Sequence, residues 1–234
     1  MGAHLLTAIV VLAAAAIVGG AYLFWRKVWF FRNPRRTPPA EPGLVSPADG
    51  TVVYVRDARP GEDVVVIKRG LRATVGDIVR EDVAEPKLII GIFMSPFNVH
   101  YNRAPFDAAI RFIRRHPARG HNDNMGPMHW RILRRREPYY ENSVHIVQNE
   151  RTVTLFEGEY RGAPLAAYVV QIGALTVNGI DSYFREGDAV RRGATFGMIR
   201  VGSQVDLIVP RRAALAIRVR PGDVVRAGET ILIA

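Results

Sequence analysis

A run of twenty residues without a charged side chain lies near the N-terminus, from Leu5 to Phe24 (LLTAIVVLAAAAIVGGAYLF). The hydrocarbon core of a bilayer is crossed by about 20 apolar residues in a helix. A single segment in lipid must satisfy its own backbone hydrogen bonds, which a helix does. The sequence therefore predicts one N-terminal transmembrane helix, and we assign residues 1–24 to a membrane anchor.

Positive charge follows this segment, and none precedes it except the N-terminal amine. The positive-inside rule then places the N-terminus outside and the rest of the chain in the cytoplasm. A cleaved signal peptide is the alternative, but it has a basic start and a shorter apolar core. We predict an uncleaved anchor in the cell membrane. Trp25 and Trp29 suit the membrane interface, and the cations after the span are Arg26, Lys27, Arg32, Arg35 and Arg36.

The residues after the anchor divide into a linker and a body. Residues 25–43 are basic and rich in proline, which predicts a juxtamembrane linker. Residues 44–234 are enough for one domain with its own core. The chain has no cysteine, which excludes disulfides, thiolate zinc sites and a cysteine nucleophile.

The chain carries a formal net charge of +10. Nucleic acid is the usual partner of such a chain. Here the arginines are scattered, and no stacking aromatic residues are interleaved with them as in RNA-binding modules. We therefore expect no nucleic acid partner. A solvated basic surface and attraction to an anionic membrane surface both stay open, and the apolar N-terminal segment adds weight to the second.

Beyond residue 43 the chain breaks into short runs of β-branched residues, separated by glycine and proline. Such spacing predicts a mainly β fold, an antiparallel sandwich or barrel. We place His145 on the surface of one strand, because it alternates with apolar residues. The only clear helix signal is the N-terminal segment. The predicted strands are 50–55, 63–68, 87–94, 143–148, 151–156, 165–173, 196–209, 215–219 and 229–234.

A short repeat, Gly-Asp-x-Val-x-x-Gly, begins at Gly187 and again at Gly222. Its glycines suit turns, and the valine between them packs inward. Two such hairpins suggest a pseudo-symmetric, lipoyl-like sandwich. A non-enzymatic, membrane-anchored adaptor with such a sandwich is therefore one hypothesis, although the long helical hairpin it needs has no matching heptads. A lipoyl carrier would need a lysine at a hairpin tip, and neither Lys68 nor Lys87 lies in such a hairpin.

Three short motifs carry one acid, one base and one hydroxyl, each beside a turn-forming residue. They are SPADG (46–50) with Asp49, MSPFNVHYNRAP (94–105) with His100, and VGS (201–203) with Ser203. Taken singly, each is ordinary turn or strand chemistry. Together they are the parts of a hydroxyl nucleophile activated by a base. The G-x-S-x-G elbow of many serine hydrolases is absent.

These motifs, in this order, resemble those of the phosphatidylserine decarboxylase family, in the short membrane-anchored form that includes archaetidylserine decarboxylases. The resemblance runs from about residue 23 to the C-terminus. Each piece has little specificity, whereas the ordered combination is specific. The pieces are FFRNPRR, SPADGTVV, MSPFNVHYNRAP, NER (149–151), GMIRVGSQVDLIVP and GDVVRAGETILIA.

The resemblance implies a proenzyme that cuts itself between Gly202 and Ser203, giving a β chain of residues 1–202 and an α chain of residues 203–234. Ser203 would become a pyruvoyl group, a cofactor made from the chain itself. That group would form a Schiff base with the amine of the substrate. The implied reaction converts the serine head group of phosphatidylserine to ethanolamine and releases CO₂.

The resemblance also implies roles for two further residues. His100 would act as general base and acid, and Asp49 would orient its imidazole. Arg103, next to the histidine motif, is a candidate phosphate contact or the partner in a structural salt bridge. We expect no pyridoxal phosphate, because neither lysine of the body has a supporting motif, and no metal. The remaining histidines and nearby acid match no standard zinc spacing: His116, His121, His129 and Asp123.

The chain departs from the family pattern in three places. Gln204 stands where an arginine is usual in the family. The stretch QIGALTVNGI (171–180) replaces an A-R-R-I-like segment. The segment 111–148 is richer in histidine and arginine than the family pattern leads us to expect. These differences leave open whether the lipid tails are esters or ethers. A family member with an altered substrate is therefore a further hypothesis, and a homo-oligomer also stays open.

Overall fold

The N-terminal segment forms a helix, α1 (Gly2–Phe24), followed by one π-helical turn at Trp25–Trp29. By length and composition, Gly2–Trp29 can cross a membrane, a property that signal sequences share. The predicted helix is confirmed, and its position in a membrane stays a prediction. The computed structural model describes residues 2–68, 70–81, 84–175, 179–200 and 202–234.

The chain divides into two units, Met1–Pro34 and Arg35–Ala234. The second unit therefore begins before the predicted body, because residues 35–43 already pack with it. For example, the guanidinium of Arg192 donates to the carbonyl oxygen of Gly43 at 3.0 Å.

Within the described residues, short strands and three short helices make up the second unit, which confirms the mainly β prediction. The strands are β1 (Leu44–Val45), β2 (Gly50–Ala58), β3 (Asp63–Lys68), β4 (Leu71–Thr74), β5 (Lys87–Met94), β6 (Tyr101–Arg103), β7 (Ala108–His116), β8 (Arg151–Tyr160), β9 (Ala163–Gly173), β10 (Ile180–Ser182), β11 (Ala189–Val190), β12 (Thr195–Ile199), β13 (Ser203–Pro210), β14 (Val224–Val225) and β15 (Ile231–Ile233). The helices are α2 (Val75–Val79), α3 (Gly126–Leu133) and α4 (His145–Gln148).

One antiparallel sheet of eight strands organises this unit, in the order β11-β7-β8-β9-β13-β5-β2-β14. The smaller sheets of the described chain are β10-β12-β6, β1-β15 and β3-β4. β13 lies in the middle of the large sheet and pairs with β5 and β9 from its first residue, Ser203. Because a strand paired on both sides has a fixed register, Ser203 has a defined position at the start of β13.

The central strands are buried on both faces, which explains their continuous apolar sequences. Side chains alternate along a strand, so each strand contributes to two cores. Leu88 and Leu207 belong to what we call the first core, and Ile89 and Ile208 to the second core on the opposite face.

Most of the predicted strands are confirmed, and two of the exceptions concern the site described below. The segment 143–148 forms a turn and then α4, where the carbonyl oxygen of Ile146 accepts a hydrogen bond from the buried guanidinium of Arg151 at 2.9 Å. The segment 196–209 is two strands, β12 and β13, and Val201 between them lies outside the described residues. The segment 215–219 contributes one isolated bridge, at Ile217.

The repeated motif forms two equivalent segments, the first repeat (β11–β12) and the second repeat (β14–β15). The predicted hairpins are wrong, because the two strands of each repeat pair with strands of different sheets and not with each other. In the first, Gly187 and Gly193 have φ values of 90° and 79°. In the second, Gly222 and Gly228 have φ values of 94° and 76°. Glycine reaches positive φ at low cost, which explains why both repeats have glycine at the same two positions. β11 and β14 form the two edges of the large sheet.

An aspartate from elsewhere in the chain holds the turn of each repeat. Asp107 Oδ1 accepts a hydrogen bond from the backbone N–H of Arg192 at 2.7 Å, and Asp49 Oδ1 accepts one from the N–H of Ala227 at 2.8 Å. Arg192 and Ala227 occupy the same position of the repeat. Asp49 therefore has a structural role in the second repeat.

Candidate active site

Gly202 lies where the chain enters the centre of the large sheet. Its φ is 65°, and its carbonyl oxygen accepts a hydrogen bond from the backbone N–H of Ala174 at 3.1 Å. A Cβ at position 202 would lie 3.2 Å from the Cβ of Ala174. Both the backbone and the space therefore favour glycine. The Ala174 N–H is a fixed donor that polarises this carbonyl group.

Ser203 follows at the first position of β13 and is fully buried. It pairs with Met94 of β5 and with Gly173 of β9. Its hydroxyl donates to Met94 Sδ at 3.2 Å. Thioether sulfur is a weak acceptor, so little free energy is needed to turn the hydroxyl toward another group. Ser203 thus presents a water-excluded hydroxyl beside the carbonyl of the preceding residue.

His100 is buried in the loop that connects β5 to β6. Its Nδ1 lies 3.0 Å from the carbonyl oxygen of Asn98. A carbonyl can only accept, so Nδ1 carries the proton, and in the neutral ring Nε2 is the basic nitrogen. The carbonyl oxygen of His100 accepts from the N–H of Ile199 at 3.2 Å. The histidine therefore lies against the end of β12, four residues before Ser203.

Asp49 is held by Arg36, one of the basic residues of the predicted linker. Arg36 Nη1 and Nη2 donate to the two carboxylate oxygens of Asp49 at 2.5 and 2.8 Å. The side chain of Arg36 is 7% exposed, so this is a buried, bidentate ion pair. Arg36 Nη1 also donates to the carbonyl oxygen of Ala227 at 3.0 Å. The role of Asp49 beside His100 stays a prediction.

Arg103 is buried, and its Nη1 donates to the carbonyl oxygen of Gly193 at 2.8 Å. Burial lowers the pKa of Arg103, and the nearby Arg36 lowers it further, while Asp49 opposes this. The contact with Gly193 of the first repeat accords with a structural role. A contact between Arg103 and a lipid phosphate stays a prediction.

Two buried amides lie on the same face of the sheet as Ser203. Asn102 Nδ2 donates to the carbonyl oxygen of Pro47 at 3.3 Å, which joins the SPADG motif to the histidine motif. Gln171 Nε2 donates to Asn102 Oδ1 at 2.8 Å. Gln171 Oε1 is buried and has no hydrogen-bond partner among the described residues. This face therefore offers an acceptor for a donor group that is not part of the described protein.

A second polar cluster lies on the opposite face, around Gln204. Its Nε2 donates to Tyr54 Oη and to Asp206 Oδ1, both at 2.8 Å. Tyr54 Oη donates to Asp206 Oδ2 at 2.9 Å, and Gln204 Oε1 lies 3.0 Å from His145 Nε2. The prediction that His145 lies on a strand surface is wrong, because it begins α4 and is fully buried. Gln204 anchors β13 one residue after Ser203.

The charge states of this cluster follow from its burial. Desolvation raises the pKa of Asp206 to about 7, although hydrogen bonds from Gln204 and Tyr54 oppose the shift. Desolvation lowers the pKa of His145 to about 4, so this histidine is neutral at pH 7. Desolvation also raises the pKa of Tyr54. The buried Arg151 is the cation that favours ionised Asp206.

Replacing Asp206 with asparagine is expected to remove a pH dependence of stability. The native pKa of about 7 lies above the ordinary value of 3.8, so the folded state binds an extra proton between these values. The free energy of unfolding then falls as pH rises through this window, by roughly 1.4 kcal/mol per unit. Asparagine resembles the protonated acid and should not show the fall.

Thermal unfolding of both proteins in detergent, from about pH 5 to pH 8, measures this difference. His145 contributes the opposite slope, because its lowered pKa removes stability as pH falls from 6.5 toward 4. That contribution is present in both proteins and cancels in the comparison. A gap between the two proteins that stays constant over this range would contradict the assignment.

A cavity of about 290 Å³ meets the chain at Gly202. It lies on the side of the second core, and its walls are apolar. The residues that line it include Phe93, Pro96, His129, Trp130, Ala174 and Leu175. The peptide bond after Gly202 therefore lies at the wall of a cavity large enough for part of a lipid head group.

The structure does not join the other histidines into a metal site. Among the described residues, no three His, Asp or Glu side chains are arranged to hold a metal ion. His116 Nε2 lies 3.3 Å from Glu81, His121 is exposed, and His129 lines the cavity.

Comparison with known proteins gives a consistent result. The sequence model of the phosphatidylserine decarboxylase family matches residues 23–233. A Methanopyrus kandleri protein, provisionally named archaetidylserine decarboxylase proenzyme, is 36% identical over 88% of this chain and 80% of its own length. A phosphatidylserine decarboxylase proenzyme of Chlorobium luteolum is 33% identical over 96% of this chain and 84% of its own length.

These matches define the class of the protein as a carboxy-lyase, an enzyme that removes CO₂ from its substrate. The chain belongs to the phosphatidylserine decarboxylase family. The match covers the second unit up to residue 233, including both sides of the Gly202–Ser203 bond.

Proposed function

We propose that this chain is a self-processing proenzyme that cuts the bond between Gly202 and Ser203 and then decarboxylates a serine-headed phospholipid. The observation that carries the proposal is the surroundings of the Gly202–Ser203 peptide bond. It lies at the entry to a central strand, with a buried hydroxyl on one side and a carbonyl bonded to the Ala174 N–H on the other. The names of two relatives as proenzymes support it.

The proposed cleavage uses only groups of the chain and one water molecule. Ser203 Oγ attacks the carbonyl carbon of Gly202, and the C–N bond breaks to give an ester and a free amine. Removal of the Cα proton of residue 203 expels the Gly202 carboxylate and leaves a dehydroalanine. Its enamine becomes an imine, which water hydrolyses to a ketone with release of ammonia. The β chain 1–202 and the α chain 203–234 result.

The geometry at Gly202 supports the first step of this sequence. Attack places negative charge on the carbonyl oxygen, which already accepts the hydrogen bond of Ala174 at 3.1 Å. Removing one such donor typically slows acyl transfer by about 10²–10³-fold. Gly202 has no side chain that could shield its carbonyl carbon, and as a glycine it adopts its positive φ without strain. The backbone N–H of Ala174 is thus the proposed oxyanion donor, a role that no motif around this alanine indicates.

His100 is the proposed base for Ser203. The hydrogen bond from Nδ1 to Asn98 leaves the basic Nε2 for proton transfer. Asp49 is the proposed group that stabilises the ring once it is protonated, because the single N–H of the neutral ring is already donated to Asn98. The Arg36 ion pair fixes where that carboxylate lies. His100 is also the proposed donor of the proton that replaces CO₂ on the substrate.

The pyruvoyl group that we propose at residue 203 supplies a carbonyl for the substrate's amine and accepts the electrons released with CO₂. Gln171 Oε1 is a buried acceptor without a partner among the described residues, and it suits the amine of the substrate, which donates, rather than the ketone, which only accepts. Asn102 holds the Gln171 amide in place by accepting from Nε2. These two amides would bind and orient the polar head of the substrate.

Phosphatidylserine is the proposed substrate, and phosphatidylethanolamine and CO₂ are the products. An ether-linked serine lipid is the alternative, suggested by the name of the Methanopyrus kandleri relative. The apolar helix Gly2–Trp29 would hold the enzyme at the membrane that contains either lipid. We propose that the catalytic domain faces the cytoplasm, as the positive charge after the helix indicates.

Denaturing electrophoresis with intact mass spectrometry tests self-processing of the purified full chain. We expect two fragments that end and begin at the 202/203 bond. The smaller fragment should have a blocked N-terminus and the mass of a pyruvoyl group in place of serine. An active preparation with an intact chain, or with an ordinary seryl terminus on the small fragment, would refute the proposal.

A further inference from the structure

We propose that helix α3 and the rim of the adjoining cavity form a bilayer-docking surface, which places the mouth of the cavity in the interfacial layer of an anionic membrane. The choice of a lipid bilayer as occupant rests on the proposed function. The docking rim consists of four apolar side chains: Phe97, Trp130, Leu133 and Leu175.

The docking rim is unusual because large apolar side chains are exposed around one opening. The exposed fractions of the four side chains are 68%, 58%, 60% and 55%. Trp130 and Leu175 line the cavity, and Phe97 follows Pro96, which also lines it. Contiguous exposed apolar residues mark interaction sites more often than single ones do. Trp130 and Leu175 therefore lie at the opening that leads to Gly202, Phe97 follows a lining residue in the chain, and Leu133 lies about one helical turn after Trp130.

Helix α3 is built to present one apolar face inward and another outward. Met128 is its fully buried residue and belongs to the second core. Trp130 and Leu133 are three residues apart and lie on a common side of the helix, which is exposed. A tryptophan at the edge of an apolar surface is typical of the membrane interface, where its ring is apolar and its N–H is hydrated.

Positive charge follows the rim directly. Arg134, Arg135 and Arg136 are exposed, and no carboxylate among the described residues forms an ion pair with them. The guanidinium of Arg134 lies 5.6 Å from the centre of the Trp130 ring. Arg131, in contrast, is paired with Glu141 at 2.6 Å. Three unpaired arginines beside apolar side chains match the phosphates and acyl chains of an anionic bilayer.

A second copy of this chain is a less suitable occupant of the docking rim. A symmetric dimer joins the same patch of both subunits. It would bring the three arginines of one copy close to those of the other, without a carboxylate of the described rim to compensate. A bilayer supplies the opposite charge and also contains the proposed substrate. The chain therefore has one surface suited to taking a head group directly from lipid.

Fluorescence of Trp130 measures this docking in the full chain. The protein has three tryptophans, so Trp25→Phe and Trp29→Phe leave Trp130 as the only one. The protein is reconstituted into vesicles of phosphatidylcholine and phosphatidylglycerol, with or without bromine on the acyl chains, and flotation confirms its incorporation. We expect bromine to reduce Trp130 emission by about half or more.

A matched control moves the tryptophan to the other side of the large sheet. Ile217 is partly exposed and forms a bridge with Ile233, a residue of the first core. In the same background, Trp130→Phe with Ile217→Trp should show little quenching. Replacing Arg134, Arg135 and Arg136 by glutamate should reduce quenching of Trp130 in anionic vesicles. Equal quenching at both positions, or none at Trp130, would overturn the proposal.

The same measurement in a Ser203→Ala background separates docking from catalysis. Quenching of Trp130 in that uncleaved chain would support docking independently of processing. Normal processing and decarboxylation in the parent chain, without quenching of Trp130, would refute docking and leave the proposed function intact. Dimer-specific cross-linking through Trp130 or Leu133 in place of lipid quenching would identify a second copy as the occupant and would also refute it.

Discussion

The Ser203→Ala chain is expected to remain a single polypeptide and to have no decarboxylase activity. Alanine has no oxygen to attack the Gly202 carbonyl, so neither the ester nor the ketone can form. The substitution removes one atom from a buried site where, within the described part of the chain, the hydroxyl donates to a weak acceptor, Met94 Sδ. Folding should therefore be unchanged, while processing falls below detection on denaturing gels after days.

A matched control uses another buried serine. Ser143 is 1% exposed, and its Oγ has no hydrogen-bond partner among the described residues. Ser143→Ala should process at the wild-type rate, since it makes the same chemical change away from the bond. Cleavage of the Ser203→Ala chain at position 202 would show that another nucleophile or a protease makes the cut.

The His100→Ala chain is expected to process slowly, by a factor of about 10²–10⁴. The substitution removes the base that takes the proton of Ser203 but leaves the Ala174 donor and the hydroxyl in place. The rate is measured by following the appearance of the small fragment after synthesis in a cell-free system with vesicles. Decarboxylation by chains that do process should also be slow, because His100 is the proposed proton donor.

His121→Ala is the control for this prediction. His121 is exposed, and its backbone carbonyl, which the substitution retains, accepts from Gln148. This control should behave as wild type in both assays. Processing of His100→Ala at the wild-type rate, with an unchanged unfolding temperature, would remove His100 from the cleavage mechanism.

The sequence predicted the parts of the fold that depend on local pattern. The apolar segment indicates α1, and the glycine spacing of the repeat indicates turns with positive φ at matching positions. The strands on either side of these turns belong to different sheets, so the predicted hairpins do not form. The sequence also predicted that the SPADG, histidine and Gly-Ser motifs belong together. The contact from Asn102 to the carbonyl of Pro47 and the contact from Ile199 to His100 join neighbouring parts of these motifs.

The remaining features depend on contacts between distant residues. His145 was expected on a surface, because alternation with apolar residues cannot distinguish a half-exposed strand from a short buried helix. Its partner Gln204 is 59 residues away in sequence. One signal in the sequence does indicate this cluster, because Gln204 and Asp206 are two polar residues on one face of an otherwise apolar strand. In a fully buried strand such a pair requires partners, and Tyr54 and His145 provide them.

Arg36 shows a different limit. Its position among prolines and other basic residues indicates a solvated linker, and nothing in the local pattern indicates a buried carboxylate partner. Only the folded chain brings it to Asp49. Residues 35–43 are consequently part of the second unit, and the predicted boundary at residue 44 divides elements that pack together.

The central position of β13 determines the fate of the two fragments. Residues 203–234 include β13, the edge strand β14 and the partner of β1, and the pairing of β13 with β5 and β9 begins at Ser203 itself. Scission before Ser203 leaves all of these ladders intact. The fragments should therefore coelute as one noncovalent heterodimer in mild detergent and separate only in denaturant. The large fragment produced alone would lack the middle of its sheet, and in detergent it should recover its fold only when the small fragment is supplied in trans.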